Sequence, residues 1–189
     1  MAKQLERKLV IVGDGGCGKT CLLTVYAHGE FPARYVPTVF ENYVKSTRVG
    51  GRALQLALWD TAGQEEYDRL RPLSYPESDV VLVCFAIDMQ TSLAAVEEKW
   101  MPEVAHFCPR TPRLLVGCKR DLRDHPRARE ILQSQGLDTV GWQQAQLVAK
   151  RTRASGYQEC SARTGEGVEE VFAAAIALAC RPPRRCIIL

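Results

Sequence analysis

Gly13-Asp14-Gly15-Gly16-Cys17-Gly18-Lys19-Thr20, directly after the apolar run Leu9-Val10-Ile11-Val12, is the stretch on which the reading of this chain turns. It matches G-x-x-x-x-G-K-[ST]. The apolar run reads as a buried strand that ends at Gly13, and a helix is expected from about Lys19 to Ala27. A strand before the glycines and a helix after them separate a working phosphate loop from a chance match. In that setting the glycines let backbone N–H groups curl around a β-phosphate. Lys19 supplies a point charge to the β- and γ-phosphates, and the Thr20 hydroxyl is placed for Mg²⁺.

The rest of the chain supplies a frame for this loop. Leu54, Leu56 and Leu58 alternate within Ala53 to Trp59, the period-2 signature of a strand, and Val44 to Val49 before Gly50-Gly51 is its hairpin partner. Val80 to Ile87, Arg113 to Cys118 and Tyr157 to Cys160 read as further strands. Apolar residues at 93, 96, 100, 104 and 107 put one helical face on Ser92 to Phe107, with Pro102 a point where that helix could kink. Val168, Val171, Phe172, Ala175, Ile176 and Ala179 mark a second packing helix. Strands alternating with helices predict an α/β fold, a mostly parallel sheet covered on both faces with its ligand at the strand C-terminal ends. The polar stretch Arg123 to Asp138 is an insertion whose Arg127 to Gln135 portion could form a surface helix.

Length and composition narrow the function. At 189 residues with 46% hydrophobic and 25% charged residues the chain suits one folded domain. A net charge of +3 without a basic face argues against nucleic-acid binding. No apolar run approaches the roughly 20 residues of a membrane helix, and the N-terminus lacks a secretory signal, so a cytosolic protein is expected. The eight cysteines show no C-x-x-C pair and no zinc spacing, so they read as reduced thiols, Cys84 and Cys160 as buried ones.

Asp60-Thr61-Ala62-Gly63-Gln64 begins where the Ala53 to Trp59 strand ends. A carboxylate there suits the shell of a phosphate-bound Mg²⁺, and Gly63, without a Cβ, lets its N–H approach a γ-phosphate. Alone, such a turn would be an ordinary loop; the phosphate loop changes its meaning. Cys118-Lys119-Arg120-Asp121 and Ser161-Ala162-Arg163 follow two more strands. With these, the chain resembles a small GTPase of the Rho family within the Ras superfamily, from Lys8 to Leu189. Tyr35-Val36-Pro37-Thr38-Val39-Phe40-Glu41-Asn42-Tyr43, Trp59 to Gln64 and Tyr67-Asp68-Arg69-Leu70-Arg71-Pro72-Leu73 resemble Rho switch segments, and Glu41 is closer to the Rho branch than to the Rac branch.

That resemblance implies a small G domain over 1–180, with a six-stranded sheet and the Rho-type insertion at 123–138, and a basic tail over 181–189. It implies GTP and GDP as ligands held by Gly13 to Cys21, Phe31, Tyr35, Thr38, Asp60, Gly63, Cys118, Lys119, Asp121, Ser161, Ala162 and Arg163. Asp121 would accept from guanine N1–H and N2–H₂, a donor pair adenine lacks, and the Ala162 N–H would meet guanine O6. Thr20 and Thr38 would ligate Mg²⁺, with Asp60 behind them. Gln64 would orient the attacking water, Lys19 would serve catalysis, and Gly15 would leave room for an arginine finger from an activating protein. Loss of the γ-phosphate would release the loops around Thr38 and Gly63, with residues 35–43 as the effector region.

Two positions depart from the family. Its N-K-x-D is here Cys118-Lys119-Arg120-Asp121, and a thiol is a poor substitute for an amide tying the base loop to the phosphate loop; some Rho relatives share this Cys, so guanine binding is expected to survive with faster nucleotide exchange. Arg163 replaces the common Lys and keeps its charge. Gln64 and Gly15 favour a slow, cycling enzyme over a permanently GTP-loaded binding module; an ATP-using P-loop enzyme is the third reading, which Asp121 opposes. Cys21, next to the phosphates, is either a redox-sensitive thiol or a buried small residue. The family's partners are exchange factors, activating proteins, a dissociation inhibitor and effectors. Cys186-Ile187-Ile188-Leu189 reads as C-a-a-X with geranylgeranyl on Cys186, supported by Arg181, Arg184 and Arg185, which predicts the cytoplasmic face of membranes. Cys180 is either a palmitoylation site or the last turn of the final helix.

Overall fold

A computed structural model describes residues 4–34, 38 and 40–181. Six strands form one sheet in the order β2-β3-β1-β4-β5-β6. They are β1 (Leu5–Gly13), β2 (Phe40–Val49), β3 (Arg52–Thr61), β4 (Val80–Ala86), β5 (Arg113–Cys118) and β6 (Gly156–Glu159). Only the β2–β3 hairpin is antiparallel; β1–β3, β1–β4, β4–β5 and β5–β6 run parallel. The helices are α1 (Lys19–His28), α2 (Gln90–Ala95), α3 (Met101–Phe107), α4 (Pro126–Ser134), α5 (Trp142–Arg151) and α6 (Val168–Ala179).

Alternation along β1 creates two cores. Leu9 and Ile11 face α1 and α6 among Leu22, Leu58, Leu82 and Phe172, whereas Val10 and Val12 face α2, α3 and α5 among Val83, Phe85, Trp100 and Val148. Tyr26 of α1 stacks on Phe172 of α6 with centroids 3.6 Å apart. Burying a side chain such as Phe172 stabilises the fold by about 2–3 kcal/mol. Parallel pairing also fixes the site, because it sets Ile11 beside Asp60, Gly13 beside Cys84 and Ala86 beside Cys118. Every strand end that carries a motif therefore reaches the same edge.

The expected strands and helices are present, with four differences. The hairpin and β1 extend further than their apolar runs, since β1 continues through Glu6 to Lys8 on ladder pairing with β3. The strand expected at Tyr157 to Cys160 is shifted one residue earlier, to Gly156–Glu159. Pro102 does not kink a simple helix: α2 runs through a π turn at Val96–Trp100 into α3, and Pro102 sits in the first turn of α3, where a missing N–H is tolerated. The helix α5 carries no clean apolar stripe and was not anticipated. The insertion does hold a helix, α4, with no buried residue. Among the described residues no helix is long and apolar enough to cross a membrane.

Candidate functional site

At the C-terminal edge of the sheet lies a cavity of about 630 Å³. Its phosphate end is the turn after β1. Gly13 holds φ 144°, and a Cβ there would stand 2.2 Å from the Cys84 carbonyl oxygen, so only glycine lets the chain leave β1 this close to β4. Cys17 N–H closes the turn on the Asp14 carbonyl at 3.3 Å. Lys19 is buried, and its Nζ donates to the carbonyls of Gly13 (2.7 Å) and Asp14 (2.9 Å). Backbone oxygens thus hold the ammonium at the mouth of a loop whose N–H groups open α1, an arrangement that attracts anions.

A cation corner adjoins it. The Thr20 and Thr38 hydroxyls meet at 2.5 Å. Asp60, opposite Ile11 at the end of β3, is fully buried, and neither carboxylate oxygen has a hydrogen-bond partner among the described residues. Burial pushes its pKa up to about 6, with the Thr20 hydroxyl and the Lys19 charge opposing. An orphaned carboxylate beside two hydroxyls suits a hard divalent cation that takes its other ligands from phosphate and water, as Mg²⁺ does. Among the described residues no cluster of three His, Cys, Asp or Glu side chains could cage a metal alone.

Gly63 presses against the phosphate loop: a Cβ would lie 2.3 Å from Gly13 O and 2.5 Å from Gly15 N, so any side chain would drive the two segments apart. Gly15 is different. A Cβ there meets only the Gln64 side chain, at 3.8 Å, so the resting fold does not itself require glycine at 15. Gln64 lines the cavity, its Oε1 buried and without a hydrogen-bond partner among the described residues.

The far end is built by two loops. Arg120 N–H donates to the Cys160 carbonyl at 3.0 Å, tying the turn after β5 to the turn after β6. Lys119, in the left-handed region at φ 60°, sends Nζ toward Asp88 at 3.4 Å. Asp121 accepts from the Ser161 hydroxyl at 2.6 Å, which orients its carboxylate, and Ser161 in turn accepts from Thr164 N–H at 3.2 Å. Phe31, Cys118, Lys119, Asp121, Ala162 and Arg163 all line the cavity. Cys118 is buried in the core beside Cys84 and Cys160, and its side chain faces Gly18 of the phosphate loop.

The structure therefore brings together the phosphate loop, Thr38, Gly63, Gln64 and both base loops. Gly13, Asp14, Cys17, Asp60 and Ser161 stand just behind the lining. Tyr35, Val36, Pro37 and Val39 of the expected effector region, with Cys186, lie outside the described residues. Phe40, Glu41 and Asn42 are exposed on β2, and Tyr43 donates to Glu41. Burial raises the Cys21 and Cys17 thiols, Cys17 to about 11, which disfavours the thiolate and supports the reading of Cys21 as a half-buried small residue. Cys180 is the partly buried end of α6. Pro32, Arg34, Leu122 and Cys160 also line the cavity and were missed, because each is a loop or core residue without a motif of its own.

Residues 8–181 match the Ras family. GTP-binding protein RHO1 of Saccharomyces cerevisiae is 61% identical over 93% of this chain and 84% of its own length. GTP-binding protein RHO1 of Candida albicans is 56% identical over 98% of this chain and 97% of its own, and rho1 of Schizosaccharomyces pombe 59% over 93% and 87%. With a family match across nearly all of the described domain and identities this high over most of both chains, the chain belongs to the Ras family, in its Rho branch.

Proposed function

We propose that this chain is a molecular switch that binds GTP, hydrolyses it slowly to GDP and phosphate, and engages effectors in its GTP-bound state. The observation that carries the reading is one cavity with a phosphate loop at one end, an orphaned carboxylate with two hydroxyls beside it, and Asp121 at the other end.

In this reading the Gly13 to Thr20 amides and Lys19 cradle the β- and γ-phosphates. Thr20 and Thr38 would hold Mg²⁺, with Asp60 behind them, and the ion would supply positive charge against the phosphate oxygens. Asp121, oriented by Ser161, accepts the guanine N–H pair, and the Lys119 stem and Phe31 flank the base. Gln64 orients the water for in-line attack, so the γ-phosphoryl leaves to water and GDP departs with the bridging oxygen. The open approach at Gly15 supports completion of the site by an activating protein. Exchange factors, a dissociation inhibitor and effectors at residues 35–43 are the partners, and actin regulation is the family's process. Membrane attachment through geranylgeranyl on Cys186 belongs to the same proposal and rests on the C-a-a-X residues; a Cys186→Ser protein should leave the membrane fraction.

Fluorescent mant-GTP and mant-ATP titrations with and without Mg²⁺, followed by single-turnover hydrolysis, test the core reading. Tight, Mg²⁺-dependent binding of mant-GTP alone is expected, with phosphate release sharply accelerated by a Rho-activating protein. Preference for ATP would end the reading, and silence even with the activator would favour a permanently loaded binding module.

A further inference from the structure

Arg71 lies outside the cavity lining, yet it is a cation only 3% exposed. Burying a guanidinium is costly unless its donors are all met. Here they are met by three separate parts of the chain. Nη1 donates to the Ala62 carbonyl at 2.9 Å. Nε and Nη2 form a fork on Glu103 of α3 at 2.8 and 3.1 Å, and Nη2 also reaches Asp68. The guanidinium carbon sits 4.5 Å from the centroid of the Trp100 ring. Trp100 is fully buried in the π turn, and its indole N–H donates to the Asp14 carboxylate in the phosphate loop at 2.6 Å.

The Ala62 carbonyl shares a peptide plane with the Gly63 N–H. In a trans peptide the two point in opposite directions, and no cis bond occurs among the described residues. Fixing that carbonyl on the Arg71 guanidinium therefore aims the Gly63 N–H away from Arg71. Gly63 itself is packed on the phosphate loop, since a Cβ on it would lie 2.3 Å from Gly13 O and 2.5 Å from Gly15 N. No acceptor for this N–H exists among the described residues.

Building on the GTP reading above, we infer that Arg71 is a positioning residue for the γ-phosphate: it holds the Ala62–Gly63 peptide with its N–H facing the phosphate loop, and the Trp100–Asp14 bond fixes that clamp relative to the loop. A diphosphate has no oxygen for this amide to meet, so the clamp acts on GTP and not on GDP. It also sets the start of the segment that carries Gln64. A purely structural Arg71 would make no such distinction between nucleotides.

The test uses the full chain with Mg²⁺ and compares release of mant-GDP with release of a mant-labelled, non-hydrolysable GTP analogue. For Arg71→Met, analogue release should quicken about tenfold or more, the effect of losing a charge-assisted restraint, while mant-GDP release stays within about twofold. Trp100→Phe keeps an aromatic ring under the guanidinium while removing the N–H to Asp14 and part of the buried ring, and should show the same one-sided change at about threefold. If Arg71→Met does not fold, Trp100→Phe decides on the same readout. Equal acceleration of both nucleotides, or of neither, in folded protein overturns the inference. If the wild-type chain itself fails to prefer guanine nucleotides, the reading beneath it fails, a result visible before any variant is made.

Discussion

At position 118 a thiol stands where proteins of this family carry the amide of N-K-x-D, and the neighbourhood shows what that exchange does. Cys118 ends β5 opposite Ala86, 3% exposed, and its thiol meets those of Cys84 and Cys160. A Cβ on Gly18 would stand 3.3 Å from the Cys118 Cβ, so the base loop and the phosphate loop touch there without a hydrogen bond joining them. An asparagine offers two donors and an acceptor at the same distance from the loop backbone. One added neutral hydrogen bond contributes about 1 kcal/mol net, so Cys118→Asn should slow mant-GDP release by about fivefold. Equal release rates would mean that the thiol contact already closes the two loops as well as an amide does. The other thiols nearby are poor competitors for such a role, since burial raises Cys17 and Cys84 and favours their neutral, inert form.

Elements differ in how openly the sequence declares them. The strands that carry motifs were legible because their apolar runs end at glycine or at a charged residue, and parallel pairing then puts those ends on one edge. α5 was not, because its buried face is Ala145, Val148 and Ala149 while Trp142 and Leu147 are exposed, which scrambles the apolar stripe. The π turn was hidden for the opposite reason: Leu93, Val96, Trp100 and Val104 keep helical spacing whether or not one turn widens. Likewise the Arg71–Glu103 fork joins positions 32 residues apart, a contact only the folded chain creates. The insertion stands between these cases. Its α4 buries nothing, and its base is closed independently of it, by Arg123 on the Val140 carbonyl at 2.8 Å and on Glu159, and by Val140 N–H on the Ile87 carbonyl at 2.8 Å. Replacing residues 124–138 with a short Gly/Ser linker should therefore leave the single-turnover GTP hydrolysis rate within about twofold and the unfolding midpoint within about 3 °C, since no fully buried side chain is lost. A large fall in either would mean that α4 supports the base loops from outside.

For the whole molecule, the two cores lie on opposite faces of one sheet, and the cavity cuts into the edge where both meet. That edge stores unfavourable electrostatics. Among the described residues Asp60 is buried without a hydrogen-bond partner, and Lys19 is met only by backbone carbonyls. In the proposed function a bound nucleotide and its cation would offset both, so the nucleotide would act as part of the fold as well as its cargo. Stripping nucleotide and Mg²⁺ with EDTA should lower the thermal midpoint, and restoring Mg²⁺ with GTP at about a thousand times its Kd should add about 4 kcal/mol, or roughly 8–16 °C for a domain of this size. ATP at the same concentration should leave the midpoint where it was, because its adenine offers Asp121 no N1–H and N2–H₂ pair and its phosphates alone bind too weakly to shift the equilibrium. A GTP-sized shift with ATP would show that the phosphate end carries the whole affinity and that the carboxylate held by Ser161 does not choose the base. A shift with neither nucleotide, in a protein that still unfolds cooperatively, would mean that the buried Asp60 charge is relieved by something other than a bound nucleotide and its metal.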